Sequence, residues 1–596
     1  MKDKINLKID NLSVSVDEET TILEAAKKIN VRIPTLCHHE DLCVAGNCRV
    51  CVVEQIGMDR LQPACAIPVS EGMEIHTNSL KVRTARKQII ELLISEHRAE
   101  CTTCYKNGKC ELQTLTNEYI VGESGFIPLV PLKEYTIDEF SPSIVKDDSK
   151  CIRCQRCVRT CDQLQSIGAL TVAHKGGEMK ISTFFEKPIY EVVCTNCGQC
   201  VNRCPTGALT EKIYINEVWD AIYNPDKFVV VQTAPAVRIA LGEALDIEPG
   251  EIVTGKMVAA LRRIGFNAVL DTNWSADLTI IEEGNELLQR LRKALKEKDP
   301  NVKLPMTTSC SPGWIKFIEH TFPDFLDHLS TAKSPQQMFG ALAKTFYAKK
   351  TGVDPAKMVS VSVMPCTAKK FEANRPEMRA SGHQDVDYVL TTRELALMIR
   401  QAGVDFKSLP DDDYDSIMGE SSGAGVIFGA TGGVMEAALR TVYEVVTGRE
   451  VPFEGLNIMP VRGMEDVREA SIKIEDPLPE WDFLDGVEVK TCVAHGLSNA
   501  KKVMESVKNG KADYHFIEIM ACPGGCLGGG GQPLPTSPAI RQKRADAIYR
   551  EDAGKKIRKS HENPEIVQIY DEFLIEPLGK KSHELLHTTY TERNRY

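Results

Sequence analysis

The chain opens on strict alternation: INLKID and LSVSV put apolar residues at every second position across residues 5–16, the period of a half-buried β-strand. TTILEAAKKINV then shifts to helical spacing, with Thr20 or Thr21 placed to cap its N-terminus. A small β-rich domain with one helix is expected over 1–80. Residues 81–120 hold a second helical stretch, VRTARKQIIELLISEHRAE, followed by a compact cysteine cluster. Residues 121–140, rich in Pro, Gly and acidic residues, read as a connector. Two similar cysteine runs make 141–210 a two-cluster module. From residue 225 onward strands such as FVVVQT and VSVSV alternate with helices such as GKMVAALRRIG and TRELALMIRQAG, the pattern of an α/β domain over 225–596. The stretch after 533 is polar and helix-forming, and its pattern gives it no special role.

A chain of 596 residues exceeds what one hydrophobic core supports, so several domains follow. With 42% hydrophobic and 26% charged residues it is an ordinary globular composition. The formal charge of −11 speaks against non-specific nucleic-acid binding, which needs clustered Lys and Arg. No run approaches the roughly 18–20 apolar residues of a membrane span, and the N-terminus lacks the apolar core of a secretory signal. A cytoplasmic protein with neither nucleic acid nor membrane as partner is expected.

Cysteine changes the picture. There are 21, an odd number, gathered in short clusters rather than spread as a disulfide framework. In a reducing compartment such clusters read as metal ligands. Cys37, Cys48, Cys51 and Cys65 follow C-x10-C-x2-C-x13-C, which suits a [2Fe–2S] cluster; four-cysteine zinc sites also use C-x2-C pairs. Cys43, between them, reads as a small buried thiol. His97, Cys101, Cys104 and Cys110 form a second set, with His97 and Cys101 four apart and so expected on one helical face. An imidazole in place of a thiolate raises the potential of an iron–sulfur cluster; a zinc site of three cysteines and one histidine has the same spacing.

Cys151, Cys154, Cys157, Cys161 and Cys194, Cys197, Cys200, Cys204 each follow C-x2-C-x2-C-x3-C, with Pro205 after the last. In that bacterial ferredoxin run the fourth Cys ligates the other cluster. One cubane is thus assigned to Cys151, Cys154, Cys157 and Cys204, the other to Cys194, Cys197, Cys200 and Cys161. A fourth group is sparse: TTSCSPGW, MPCTAKKFE and FIEIMACPGGCLGGGGQP carry Cys310, Cys366, Cys522 and Cys526 in Pro- and Gly-rich segments. Glycine lets backbone approach a polynuclear site and proline stiffens its wall, although buried structural thiols fit the same segments. The glycine runs at 419–433 and 524–531 match neither a dinucleotide fingerprint nor a P-loop.

These three segments resemble the signature motifs of the iron-only hydrogenases, and with the N-terminal clusters the resemblance covers nearly the whole chain. It implies a multidomain α+β and α/β protein: a β-grasp [2Fe–2S] ferredoxin-like domain, a [4Fe–4S] domain with one histidine and three cysteine ligands, a two-cluster ferredoxin domain and a large α/β domain. The last would hold a six-iron H-cluster, a [4Fe–4S] cubane bridged to a two-iron subsite with carbonyl, cyanide and a dithiolate amine, which interconverts H2 with protons and electrons. The resemblance makes Cys522 and Cys366 cubane ligands, Cys526 the bridging thiolate and Lys369 a donor to a cyanide. Pro235, Ala236, Gln336, Met364, Phe428 and Met520 match the lining of the two-iron pocket, and Arg290, Glu286, Ser330, Glu283 and Cys310 match a proton path.

The chain departs from that family where members commonly have adjacent cysteines in the first motif: here the pair is Cys310 and Ser311. Position makes Cys310 the proton thiol and puts Ser311 in the ligand place. Ligand counting opposes this, because serine suits a soft site poorly, and is taken to draw Cys310 into ligation with Ser311 or water nearer the proton route. With Cys310 counted, the sets leave Cys43 and Cys492 idle. The first 210 residues also resemble the large subunit of respiratory complex I, a pure electron carrier, and a slow H2 sensor is a further alternative. With no nucleotide site on the chain, the resemblance implies separate flavin- and NAD(P)-binding iron–sulfur subunits, or ferredoxin, as partners.

Overall fold

The computed structural model describes residues 4–122, 125–127 and 135–595; of the expected connector, 123, 124 and 128–134 lie outside the described residues. The opening alternation forms the hairpin Lys4–Ile9 and Leu12–Asp17, turned at Asp10 and Asn11 with φ of 47° and 68°, the positive values a two-residue hairpin turn requires. A five-stranded mixed sheet grows from it, and helix Ile22–Lys28 covers one face. Thr21, not Thr20, caps that helix, in a capping box with Glu24.

The helix Leu80–Ser95 stops before His97, so His97 and Cys101 do not share a helical face as expected. Tertiary contact ends it: the Arg98 N–H is taken by the Ser149 carbonyl at 2.8 Å, and Cys101–Thr103 is a separate short turn. An apolar cluster containing Leu36, Cys37, Ile90, Cys110, Leu112, Ile152 and Cys154 joins the three cysteine-bearing regions of the N-terminal third.

The large domain is built on two four-stranded sheets. In the first, Ala268–Asp271, Phe228–Thr233, Met358–Met364 and Tyr388–Thr391 run parallel in that order. In the second, Met306–Thr307, Phe516–Met520 and Glu488–His495 are parallel and Val467–Lys473 closes the edge antiparallel. Met358–Met364 and Phe516–Met520 are buried at every position, on both faces of their sheets, with Ser360, Ser362 and Glu518 buried among the apolar residues. The expected helices appear as Thr254–Ile264 and Thr392–Gln401. The segment after residue 533 is not a loose tail, contrary to its polar pattern. Arg544 is buried and bonds Glu243 and the Leu527 carbonyl, and Asp552 is buried against Arg440, Arg462 and Arg558. Charge that looks like surface in the sequence is neutralised in pairs inside.

Candidate active site

Ligand sites in open α/β sheets lie beyond the carboxyl ends of the strands. Here both sheets aim those ends at one place. Phe228–Thr233 leads into Ala234 and Pro235, Met358–Met364 into Cys366, Met306–Thr307 toward Cys310, and Phe516–Met520 into Cys522 and Cys526. The result is a mainly apolar chamber lined by all four of these cysteines and by Pro235, Gln336, Met364, Phe428, Met520, Ser311 and Lys369. Ala236 is not part of that lining; it is buried, and its carbonyl accepts from Gln532 Nε2 at 3.0 Å.

The chamber is one a metal cofactor would fit. A hydrogen bond between the Cys366 and Cys522 sulfurs lowers the first thiol and raises the second, and burial pushes Cys526 up to about 12. Several converging thiols whose joint ionisation is this costly need a cation to hold them as thiolates. The backbone comes equally close: a Cβ on Gly525 would lie 2.9 Å from the Thr431 nitrogen, and one on Gly529 2.2 Å from the Pro365 carbonyl.

Lys369 Nζ donates to the Cys310 carbonyl at 3.0 Å and to Glu372 Oε2 at 2.9 Å; the same oxygen accepts from Gln336 and Ser334. The Cys310 thiol is raised, first by burial and then by the charge of Glu283. Ser311 also lines the chamber, its Oγ accepting the Ala521 N–H at 3.2 Å beside Cys522. Glu283 and Glu286 lie on helix Thr272–Leu291. Glu286 accepts Ser330 Oγ at 2.9 Å and is held by Arg290 at 2.7 Å. Among the described residues neither oxygen of buried Glu283 has a hydrogen-bond partner of normal geometry, and burial, then the charge of Glu286, pushes its acid up to about 8. An unsatisfied buried carboxyl calls for a functional account.

The other cysteine sets also assemble. Cys37 is hydrogen-bonded to Cys48 and Cys65, which lowers it, and Cys51 Sγ is 3.4 Å from Cys65 Sγ. His97 is buried with Nδ1 3.1 Å from the Lys150 carbonyl, which leaves Nε2 for a metal. Cys151, Cys154, Cys157 and Cys204 line one cavity, and Cys161 lies among Cys194, Cys197 and Cys200. Cys43 is exposed rather than buried: its backbone carbonyl, not its side chain, is held against the protein, by Arg159. Cys492 is buried in a strand.

These parts define a multi-cluster iron–sulfur oxidoreductase. Residues 227–530 match the iron only hydrogenase large subunit, C-terminal domain, and 538–593 match the iron hydrogenase small subunit, so the stretch that the sequence pattern left without a role has a family of its own. Residues 2–79 match a 2Fe-2S iron-sulfur cluster binding domain, 86–124 the NADH-ubiquinone oxidoreductase-G iron-sulfur binding region, and 141–210 the ferredoxin-like domain of NADH-quinone oxidoreductase subunit 3. The chain is 51% identical to the NADP-reducing hydrogenase subunit HndD of Solidesulfovibrio fructosivorans, over 99% of each. It is 40% identical to iron hydrogenase 1 of Clostridium pasteurianum, over 98% of this chain and 99% of that one. A variant of the [FeFe]-hydrogenase HydA1 from Chlamydomonas reinhardtii superposes with a TM-score of 0.58 at 43% identity, over 64% of this chain and all of that one. The chain belongs to the iron-only hydrogenases: it is a catalytic subunit with N-terminal iron–sulfur domains, and the match over 227–530 sets it apart from the complex I subunit.

Proposed function

We propose that this subunit interconverts H2 with protons and electrons at an H-cluster held by Cys366, Cys522, Cys526 and one side chain of the 310–311 pair. When bound, that cofactor supplies the iron at which H2 is made or split. The carrying observation is contiguity: Cys197, in the ferredoxin region, is an electrostatic neighbour of both Cys366 and Cys522, and Gln165 bonds both the Cys197 sulfur and the Ala521 carbonyl. Electrons thus have a packed route between the N-terminal clusters and the chamber.

In this reading the accessory sites hold one [2Fe–2S] and three [4Fe–4S] clusters, with the two ferredoxin runs exchanging their fourth cysteines and His97 ligating through Nε2. Protons pass along Glu286, Ser330, Glu283 and Cys310, with Arg290 at the outer end of the path holding Glu286. The neighbourhood of Cys310 with Glu283, and of Ser311 with Ala521, favours Cys310 as the proton thiol and Ser311 at the fourth corner of the cubane, against ligand counting. Lys369, anchored by Glu372, presents a cation to the chamber, and its apolar walls exclude water. The name of the Solidesulfovibrio relative and the NADH-dehydrogenase-like domains support flavin- and NAD(P)-binding partner subunits, with ferredoxin as a second electron partner. Among the described residues no helix is long and apolar enough to cross a membrane, and the reading places the enzyme in the cytoplasm.

Infrared spectroscopy of the matured protein tests the reading: it should show metal-bound carbonyl and cyanide bands, and Cys526→Ser should lose them. Bands that survive Cys526→Ser count against the bridging assignment.

A further inference from the structure

The proton path of the proposed function has a weak first member. Arg290 is a donor-only group that proteins do not deprotonate, so it cannot both receive and release a proton. Its guanidinium is also fully engaged, with Glu286 Oε1 and the carbonyls of Asp327 and Leu329 at 2.7–2.9 Å. Glu286 needs another supplier.

One stands on its other side. Thr331 Oγ1 donates to Glu286 Oε2 at 3.3 Å and lies 2.8 Å from His587 Nδ1; the Thr331 N–H also reaches Glu286 Oε2 at 3.0 Å. His587 Nε2 is 3.1 Å from Glu282 Oε2. Glu282 accepts the Tyr570 hydroxyl and the Leu578 N–H as well; burial opposes its ionisation, but the bonds from His587 and Tyr570 outweigh this and keep its acid lowered. A carboxylate so held fixes the proton on Nε2 and leaves Nδ1 as the working nitrogen. The imidazole is buried, but the exposed ring of His583 lies against it, tilted by 42° with centroids 4.3 Å apart. Two backbone bonds, from Lys333 N to the Leu586 carbonyl and from Thr588 N to the Thr331 carbonyl, pin His587 to this place.

We propose that His583 and His587 form a second proton inlet that joins the relay at Glu286 through the Thr331 hydroxyl. The inference rests on the Glu286–Ser330–Glu283–Cys310 reading. The step moves no electrons. The Nδ1–H bond of the imidazolium breaks, Thr331 Oγ1 takes that proton while passing its own to Glu286 Oε2, and His587 is left neutral with its Nε2–H on Glu282. The Thr331 hydroxyl then turns back toward Glu286 once that carboxyl has passed its proton on, which frees Nδ1 to take a proton that His583 has drawn from solvent and hands over across the ring contact, and H2 oxidation runs the sequence backwards. Imidazole suits the task because it takes up and releases protons near neutral pH.

The test measures H2 evolution by the matured enzyme with an artificial reductant in dilute buffer, with infrared bands checking the cofactor. His587→Ala should lose at least fivefold in turnover with unchanged bands, and added imidazole should restore turnover in a saturable way, which a structural defect does not allow. His583→Gln, an exposed change that spares the fold, should lose twofold or more. Full turnover in both variants, or a loss in His587→Ala that imidazole leaves untouched, overturns the inlet. Glu286→Gln separates the two readings. If it is slow while both histidine variants are fast, the main relay stands and only the inlet falls; if it keeps wild-type turnover, the relay itself falls.

Discussion

Glu283→Gln perturbs activity and stability in opposite directions, and that contrast makes it informative. The side chain is fully buried and its acid lies near 8, against 4.5 for an ordinary glutamate, because burial and then the Glu286 charge disfavour its ionised form. A carboxyl whose folded value is raised costs nothing below pH 4.5 and withholds stability progressively as pH climbs toward 8. At pH 7 the gap of 2.5 units from 4.5 corresponds to about 3 kcal/mol, at roughly 1.4 kcal/mol per unit. Glutamine keeps the shape and never ionises, so Glu283→Gln should raise the thermal unfolding midpoint at pH 7–8 and leave it nearly unchanged at pH 5. Glutamine cannot pass a proton between Ser330 and Cys310, so H2 evolution should fall by roughly 10²–10⁴. Differential scanning calorimetry at the two pH values and gas-chromatographic H2 assay on the same preparations read both effects. Wild-type turnover, or a stability loss equal at pH 5 and pH 8, refutes the reasoning.

Two further changes address ligation. If Ser311 holds the fourth corner of the proposed cubane, Ser311→Cys replaces a hard oxygen with a thiolate, so the potential should rise by on the order of tens of millivolts and the paramagnetic resonance signal should change; an unaltered spectrum means Cys310 is the ligand instead. His97→Cys replaces a neutral ligand with an anionic one and should lower the potential of that cluster by on the order of 100 mV in a redox titration followed by paramagnetic resonance. An unmoved potential would take His97 out of the ligand set.

Legibility followed distance along the chain. The ferredoxin runs are local, so C-x2-C-x2-C-x3-C carried the cysteines that the fold gathers in plain view, as strict alternation carried the opening hairpin. The chamber was legible for a subtler reason: Cys366 and Cys522 each stand just after a strand that is buried along its whole length, where an α/β sheet presents its sites. What stayed hidden depends on tertiary pairing. The helix before His97 gave no internal sign of stopping at Ser95, because its end is set by Ser149, far along the chain. The backbone at exposed Cys43 is held by Arg159, 116 residues away. His587 sits 256 residues from Thr331 and 305 from Glu282, in a segment whose polar pattern resembles a solvated tail. A polar residue paired in the interior and one facing water look the same in a sequence.

The two kinds of carrier impose different demands, and the chain meets them on different sides of the chamber. Electron transfer needs short distance through packed matter, and on the Cys197 side glycines remove the bulk that would separate the sites. A Cβ on Gly530 would sit 2.3 Å from the Cys197 carbonyl, and one on Gly198 2.3 Å from Thr367 Oγ1, while Gly313 lets its helix press against Ala521. Proton transfer needs groups that can both hold and release hydrogen, and those gather on helix Thr272–Leu291 and the segment around His587, facing Cys310. Glu282, Glu283 and Glu286 are three buried carboxyls within five residues of one helix. A purely structural core would not retain them, since burying such groups is costly unless something uses or neutralises them. Glu282 is hydrogen-bonded by His587 and Tyr570 and Glu286 is paired with Arg290, which leaves Glu283, with neither oxygen partnered in this way among the described residues, as the carboxyl free to change its proton.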